Sequence, residues 1–266
     1  MPQRHYVHGH HASVLRSHQW RTAENSAQYL LPHLRPGMDL LDLGCGPGTI
    51  TADLARLVAP GRVVAVDSAP DVLTKAERAC AERGVSNVEF VVSDAAALSL
   101  ESDGFDVVHA HQVLQHVSDP VGVLGEMRRV CRPGGLVAAR DSDYGAMTWF
   151  PEVPALGEWM ALYQDMARQA GGEPNAGRRL KAWARAACFT DITASAAVWC
   201  YSSEEERAWW GGLWSERIRS SAIARQALNS GRATADDLEL ISEGWNRWAD
   251  SPDAWFLVPH GEILCR

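Results

Sequence analysis

The stretch LLDLGCGPGT, residues 40–49, sets glycines at Gly44, Gly46 and Gly48, between an apolar run of strand length and a helix-forming run. Such a turn has a chemical use. Glycine tolerates left-handed dihedrals and carries no Cβ, so Gly44 permits a tight turn while Gly46 and Gly48 let a ligand lie against the backbone. The helix that follows offers free N–H groups at its N-terminus. The dinucleotide pattern G-x-G-x-x-G needs glycine at 49, where this chain has Thr49, and that weakens a pyrophosphate reading. An ordinary tight turn between strand and helix is the plainer alternative.

Acidic residues sharpen the picture. Asp67 ends the next apolar run, RVVAVD, about 20 residues beyond the glycines, where a carboxylate can accept hydrogen bonds from both hydroxyls of a ribose. Asp94 ends VEFVVSD, and its carboxylate or the N–H of Ala95 can read an adenine edge. Asp42, inside the first run, can hold the loop or a ligand amino group. Singly, each is an ordinary turn former or helix cap. Together they mark one edge of one sheet.

The elements that place these residues are legible as a rhythm. Residues 10–34 read as a helix ended by Pro36-Gly37. Strands are expected at 38–45, 62–67, 88–94, 105–111 and 136–140, and helices at 48–59, 70–83 and 119–132. Five strands alternating with helices predict a Rossmann-like, doubly wound α/β fold with a mostly parallel sheet. Its ligands bind at the C-terminal strand ends. Beyond Tyr144 the rhythm breaks. Helices are expected at 152–172, 177–187, 203–229 and 234–249, a strand at 189–200, and a strand pair or one bent strand at 254–265. The expected organisation is an N-terminal helical lid at 1–37, then one domain, 38–266, with helical cap insertions at about 150–188 and 203–250.

Five segments in order, LLDLGCGPGT, VVAVDSA, FVVSDAAAL, FDVVHAHQVLQHVSDP and MRRVCRPGGLV, resemble the class I S-adenosylmethionine-dependent methyltransferases. The likeness covers roughly residues 25–142 and is closest to the small-molecule branch around the ubiquinone and menaquinone C-methyltransferases. It implies S-adenosyl-L-methionine as cofactor. Gly44, Gly46 and Gly48 would cradle its methionine end, and Asp67 would take the ribose. Ser68 and Val72 would flank the adenosine, Asp94 and Ala95 would contact the adenine, and His111 and Gln112 would line the methionine side. Val72 is smaller than the apolar residue the family often has there, and His111-Gln112 is more polar than in many relatives.

A sulfonium methyl is already electrophilic, so the protein must align an acceptor and, for O or N acceptors, remove a proton. His116, just past the fourth strand, is the first candidate base and Asp141 the second, with Asp143 beside it; packing and helix-capping roles are the plain alternatives. The histidines near the N-terminus include the neighbours His10 and His11, which rarely share a metal, and no metal is expected. That segment reads either as a mobile lid carrying Tyr6, His10 and Trp20 across the cofactor or as a helix packed on the sheet.

Composition bounds the rest. A net charge of −8 with scattered arginines argues against nucleic acid as partner. No apolar run approaches the roughly 20 residues that span a bilayer. Six cysteines without a CxxC read as reduced thiols in a cytoplasmic protein. Of eleven tryptophans, Trp183, Trp199, Trp209, Trp210, Trp214, Trp245, Trp248 and Trp255 lie late in the chain. They are either the core of the cap or the lining of an apolar pocket. The expected function is methyl transfer to a small hydrophobic or aromatic acceptor, with a homodimer as a candidate assembly. The alternatives are a quinone-type C-methyltransferase and a non-catalytic regulator that binds the same cofactor.

Overall fold

The computed structural model describes Ser17, His18 and residues 20–266. Tyr6 and His10 lie outside the described residues. The chain divides into two compact units. One, the sheet unit, comprises His18–Ser142, Ala176–Ala197 and His260–Arg266. The other, the helical unit, holds Asp143–Asn175, Val198–Pro259 and, among described N-terminal residues, Ser17.

In the sheet unit the strands are β1 (Leu40–Leu43), β2 (Val63–Asp67), β3 (Val88–Val92), β4 (Phe105–His111) and β5 (Cys131–Ser142). They run parallel in the order β3-β2-β1-β4-β5. The last strand, β8 (Trp255–Cys265), pairs antiparallel with β5 through residues 260–265, and β7 (Ile192–Tyr201) pairs with β8. β1 and β4 are buried at every residue, because a parallel sheet is covered on both faces; their mostly apolar sequences are interrupted only by Asp42, Asp106, His109 and His111.

The side-chain alternation of the strands sorts the two faces. Leu41, Leu43, Val64, Val108 and Val137 pack on α4 (Pro120–Val130) and α6 (Leu180–Ala186) through Val123, Leu124, Met127, Leu180 and Ala184. Leu40, Val63, Val107 and Leu136 face α2 (Thr49–Val58), whose Ile50, Leu54 and Val58 recur every four residues, together with Ala27 and Leu30. On this second face the apolar row turns polar toward the strand ends, where Asp42, His109, His111 and Arg140 are all buried. Between β2 and β3 runs α3 (Pro70–Glu82), which starts at a proline as helices favour.

The helical unit contains β6 (Thr148–Phe150), α5 (Pro154–Gln169), α7 (Glu204–Ser220), α8 (Ala222–Asn229) and α9 (Ala235–Asp250). Its core is aromatic. Trp159, Trp214, Trp245 and Trp248 have no exposed surface, and Trp199 and Trp210 are buried beside them. Trp159 meets Trp214 and Trp245 edge-on, with ring centroids 4.6 and 4.8 Å away. Of the eight late tryptophans, Trp199, Trp210, Trp214, Trp245 and Trp248 lie in this packed core, whereas Trp255 is exposed and Trp183 and Trp209 are half-buried.

Several sequence expectations need correction. In the described part of 10–34 there is no single helix: Ser17 and His18 are helical, and after a break come α1 (Ala23–Ser26) and a 3-10 turn, Leu31–His33. Thr22 and Asn25 cap each other at the start of α1, and Pro32, which has no N–H, sits in the turn. The expected helix at 203–229 is two, because Ser221 is extended (φ −86°, ψ −178°). β5 begins at Cys131, before the Pro133-Gly134-Gly135 read as a stop. Of the two readings of the chain end, a single strand is the one found, and β6 had no sequence expectation.

Candidate functional site

The three loop glycines do different things. All are left-handed, at φ +70° (Gly44), +55° (Gly46) and +78° (Gly48). A Cβ on Gly44 would fall 2.4 Å from Val113 Cγ2, and one on Gly48 would fall 2.9 Å from the Cα of Ala76 in α3. Gly48 therefore serves helix packing, which corrects the expectation that its missing Cβ clears room for a ligand. A Cβ on Gly46 meets nothing within 4 Å among the described residues. Gly46 is the position where the loop is open.

Asp67 lies beside it. Its Oδ2 accepts the Gly46 N–H at 3.1 Å and its Oδ1 the Ala69 N–H at 3.0 Å. A carboxylate offers about four lone-pair sites, so both oxygens keep capacity for hydroxyl donors. Asp67 thus shapes the loop as well as presenting acceptors, a second role the sequence did not suggest. Asp42 is fully engaged: Oδ1 is 2.8 Å from His109 Nδ1, and Oδ2 accepts the Thr51 hydroxyl at 2.6 Å. These bonds tie β1 to β4 and to the first turn of α2. Ser68 is exposed and Val72 buried. Asp94 is exposed and its Oδ1 accepts the N–H of Ala96 at 2.9 Å, while Ala95 is half-buried.

Past β4 the chain bends sharply. Gln112 is left-handed (φ +53°) without being glycine, and its N–H bonds Arg140 O at 2.7 Å. A short 3-10 turn, Leu114–His116, follows. Asp141, with no exposed surface, accepts the Gln115 N–H on Oδ1 at 3.0 Å, while its buried Oδ2 has no hydrogen-bond partner among the described residues. Burial pushes the Asp141 carboxyl up to about 7, against the amides of Gln115 and Leu114 and the guanidinium of Arg21. Ser142 Oγ donates to Gln115 Oε1 at 2.6 Å, and Gln115 Nε2 lies 3.1 Å from His116 Nε2.

His116 is pulled down to about 3, first by burial and then by Arg21. It stays neutral at ordinary pH and is a poor proton acceptor, which leaves Asp141 as the stronger of the two candidate bases. Burial, then Arg21 and Arg140, also hold His111 well below the usual imidazole range. Arg21, absent from the sequence reading, is the common neighbour. Its Nη2 donates to Gln112 Oε1 at 2.7 Å. Gln115 and His260 were missed as well. Trp20, 38% exposed, is the lid candidate within the described residues. Among those residues no group of three His, Cys, Asp or Glu side chains could hold a metal ion, and no helix is long and apolar enough to cross a membrane.

Comparison with known proteins gives a consistent result. A family model described as a methyltransferase domain matches residues 34–208. An uncharacterized methyltransferase of Schizosaccharomyces pombe is 33% identical over 273 residues, 98% of this chain and 96% of its own. The demethylmenaquinone methyltransferase of Lactococcus lactis subsp. lactis is 34% identical over 128 residues, a match spanning 48% of each chain. Among solved structures, the YcgJ protein of Bacillus subtilis superposes with a TM-score of 0.60 over 91% of this chain and 98% of that one. At 18% identity that likeness concerns the fold alone.

Proposed function

We propose what this chain, which belongs to the class I S-adenosylmethionine-dependent methyltransferases, does with its cofactor: it methylates a small hydrophobic or aromatic acceptor that must lose a proton, and Asp141 takes that proton. The residues fit the cofactor. Gly46 leaves open space where a Cβ would stand, and Asp67 beside it retains acceptor capacity for ribose hydroxyls. When bound, the cofactor supplies an electrophilic methyl on a sulfonium. The protein's own part is to align the acceptor, exclude water and accept a proton.

One observation carries the reading. Asp141 is a buried carboxyl with one unpartnered oxygen, pushed up to about 7 by burial. A base is most effective when its pKa lies near the working pH. Burial deep enough to desolvate a carboxylate also suits an uncharged acceptor. Residues 1–37 act as a lid in this reading, and the Arg21–Gln112 hydrogen bond supports it. Six free thiols suit the cytoplasm. A second reading, C-methylation of a hydroxylated quinone-type ring, is favoured by the demethylmenaquinone methyltransferase match. It too needs a proton acceptor.

A panel of acceptors with S-adenosylhomocysteine release as readout tests this. Phenols and hydroquinones should turn over, with product NMR distinguishing O- from C-methylation. If the best acceptors are tertiary amines or thioethers, which have no proton to lose, the reading is wrong. Turnover should persist in EDTA; loss on chelation that a single added metal restores would contradict the metal-free chemistry.

The glycine loop gives a paired prediction. Gly46→Ala should weaken S-adenosylhomocysteine binding at least tenfold by calorimetry with little change in melting. Gly48→Ala drives a Cβ into the α3 backbone and should cost about 1–3 kcal/mol, roughly 2–12 °C in Tm. Equal effects of the two on binding and melting would mean the loop has no open position.

A further inference from the structure

His260 lies in β8, 1% exposed, opposite Ser142 of β5. Its Nε2 is 2.9 Å from the side-chain nitrogen of Gln112. The other end of the same amide, Oε1, is 2.7 Å from Arg21 Nη2. A guanidinium carries only donors, so the amide oxygen must face Arg21 and the NH2 must face His260. An amide NH2 has no lone pair to offer. His260 Nε2 must therefore accept, which leaves the ring proton on Nδ1 and the imidazole neutral.

We propose that His260 is a positioning residue: as a neutral, Nδ1-protonated acceptor it closes an Arg21–Gln112–His260 lock that holds the end of β4 in its cofactor-binding form, and a proton on Nε2 opens it. The lock has a reason to exist. Gln112 occupies a left-handed conformation that side chains other than glycine rarely adopt, and such backbone persists only where its surroundings hold it. The two hydrogen bonds of its amide draw on residues 91 and 148 positions away.

Among the described residues, several titratable and charged groups surround His260. The ring of His111 stacks on it with centroids 6.3 Å apart. Arg21 lies beyond the Gln112 amide. Arg140 and His109 share the His111 environment with His260. Glu262, on the same strand, is paired with Arg140 at 3.4 Å and accepts the Ser195 hydroxyl at 2.9 Å. A proton added to His260 Nε2 would meet the Gln112 NH2, donor against donor.

The inference rests on the cofactor and not on Asp141 or the acceptor, so S-adenosylhomocysteine alone is the probe. In long-range 1H–15N spectra of histidine-labelled protein at pH 7.5, His260, assigned by its loss in His260→Gln, should carry its proton on Nδ1. A proton on Nε2 overturns the proposal. By calorimetry the wild type should bind S-adenosylhomocysteine at least tenfold more weakly at pH 5 than at pH 8. His260→Gln, whose amide oxygen accepts without titrating, should lose most of that pH dependence; His260→Ala should bind weakly at both. Gln112→Glu, an acceptor at both ends, should move the His260 proton to Nε2. A wild type insensitive to pH 5, or a His260→Gln variant as sensitive as wild type, would sink the lock.

Discussion

Asp141→Asn is expected to lower kcat for the best acceptor by about 10²–10⁴-fold, the usual worth of a positioned base, with S-adenosylhomocysteine affinity unchanged within a few fold. Asparagine keeps an oxygen to accept the Gln115 N–H that Oδ1 now binds, so the local backbone has no reason to move. What it loses is the ability to take a proton. In the wild type only the carboxylate is active, so turnover should climb as pH rises through about 7 and level off above. The same shift speaks to stability with the opposite sign. The folded-state pKa lies above the ordinary value near 4, so the native state prefers the protonated form. That stabilisation is fully present below about pH 4 and is lost as pH rises through about 7. About three pKa units correspond to at most ~4 kcal/mol. The asparagine variant should therefore melt higher than wild type at pH 8 and lose the difference at pH 4. A variant more stable yet nearly inactive is the signature of a carboxyl buried for function. Turnover within tenfold of wild type would make Asp141 a buried structural residue and leave the proton acceptor elsewhere.

The cofactor half of the chain was readable because its determinants are local. A parallel strand covered on both faces is a continuous apolar run, and β1, β2 and β4 begin and end within two residues of expectation for that reason. Gly44, Gly46, Gly48 and Asp67 are recognisable from spacing, since one turn contains the glycines and the next strand end supplies the carboxylate. Spacing does not say which glycine faces open space. That depends on Ala76 and Val113, which only the packed structure brings to the loop.

The proton-handling side was not readable in the same way. Histidine is the default base from sequence because its ordinary pKa is nearest neutral. Burial inverts that ranking: it drives His116 down and Asp141 up, and burial is a property of the fold. Arg21 and His260 lie far from Gln112 in sequence, in stretches that read as a plain helix and a plain final strand. The short β6 was invisible for a different reason: three residues carry too little periodicity, and it exists through pairing with Trp255, Phe256 and Leu257.

Trp159→Ala is expected to cost about 3–5 kcal/mol, roughly 6–20 °C in the melting of the helical unit. Trp159 has no exposed surface and packs against Trp214, Trp245, Tyr163 and Phe256. Deleting an indole there removes its own burial and leaves a void that rigid rings on several sides are poorly able to fill. Its Nε1 has no hydrogen-bond acceptor among the described residues, so ring contacts carry its packing there. Trp159→Phe keeps an aromatic ring in the site and should cost a fraction as much. Trp209, only half-buried, is the control: its alanine variant should melt closer to wild type. Two melting transitions, if calorimetry resolves them, sharpen the test, because only the one unchanged by S-adenosylhomocysteine should move. The residues proposed to hold the cofactor all belong to the sheet unit, so affinity measured below the transition should stay within a few fold. The alternative role for these rings predicts the reverse pattern. If Trp159→Ala keeps its melting temperature while acceptor preference changes, the indole is a wall of the acceptor site and the cluster is not simply core.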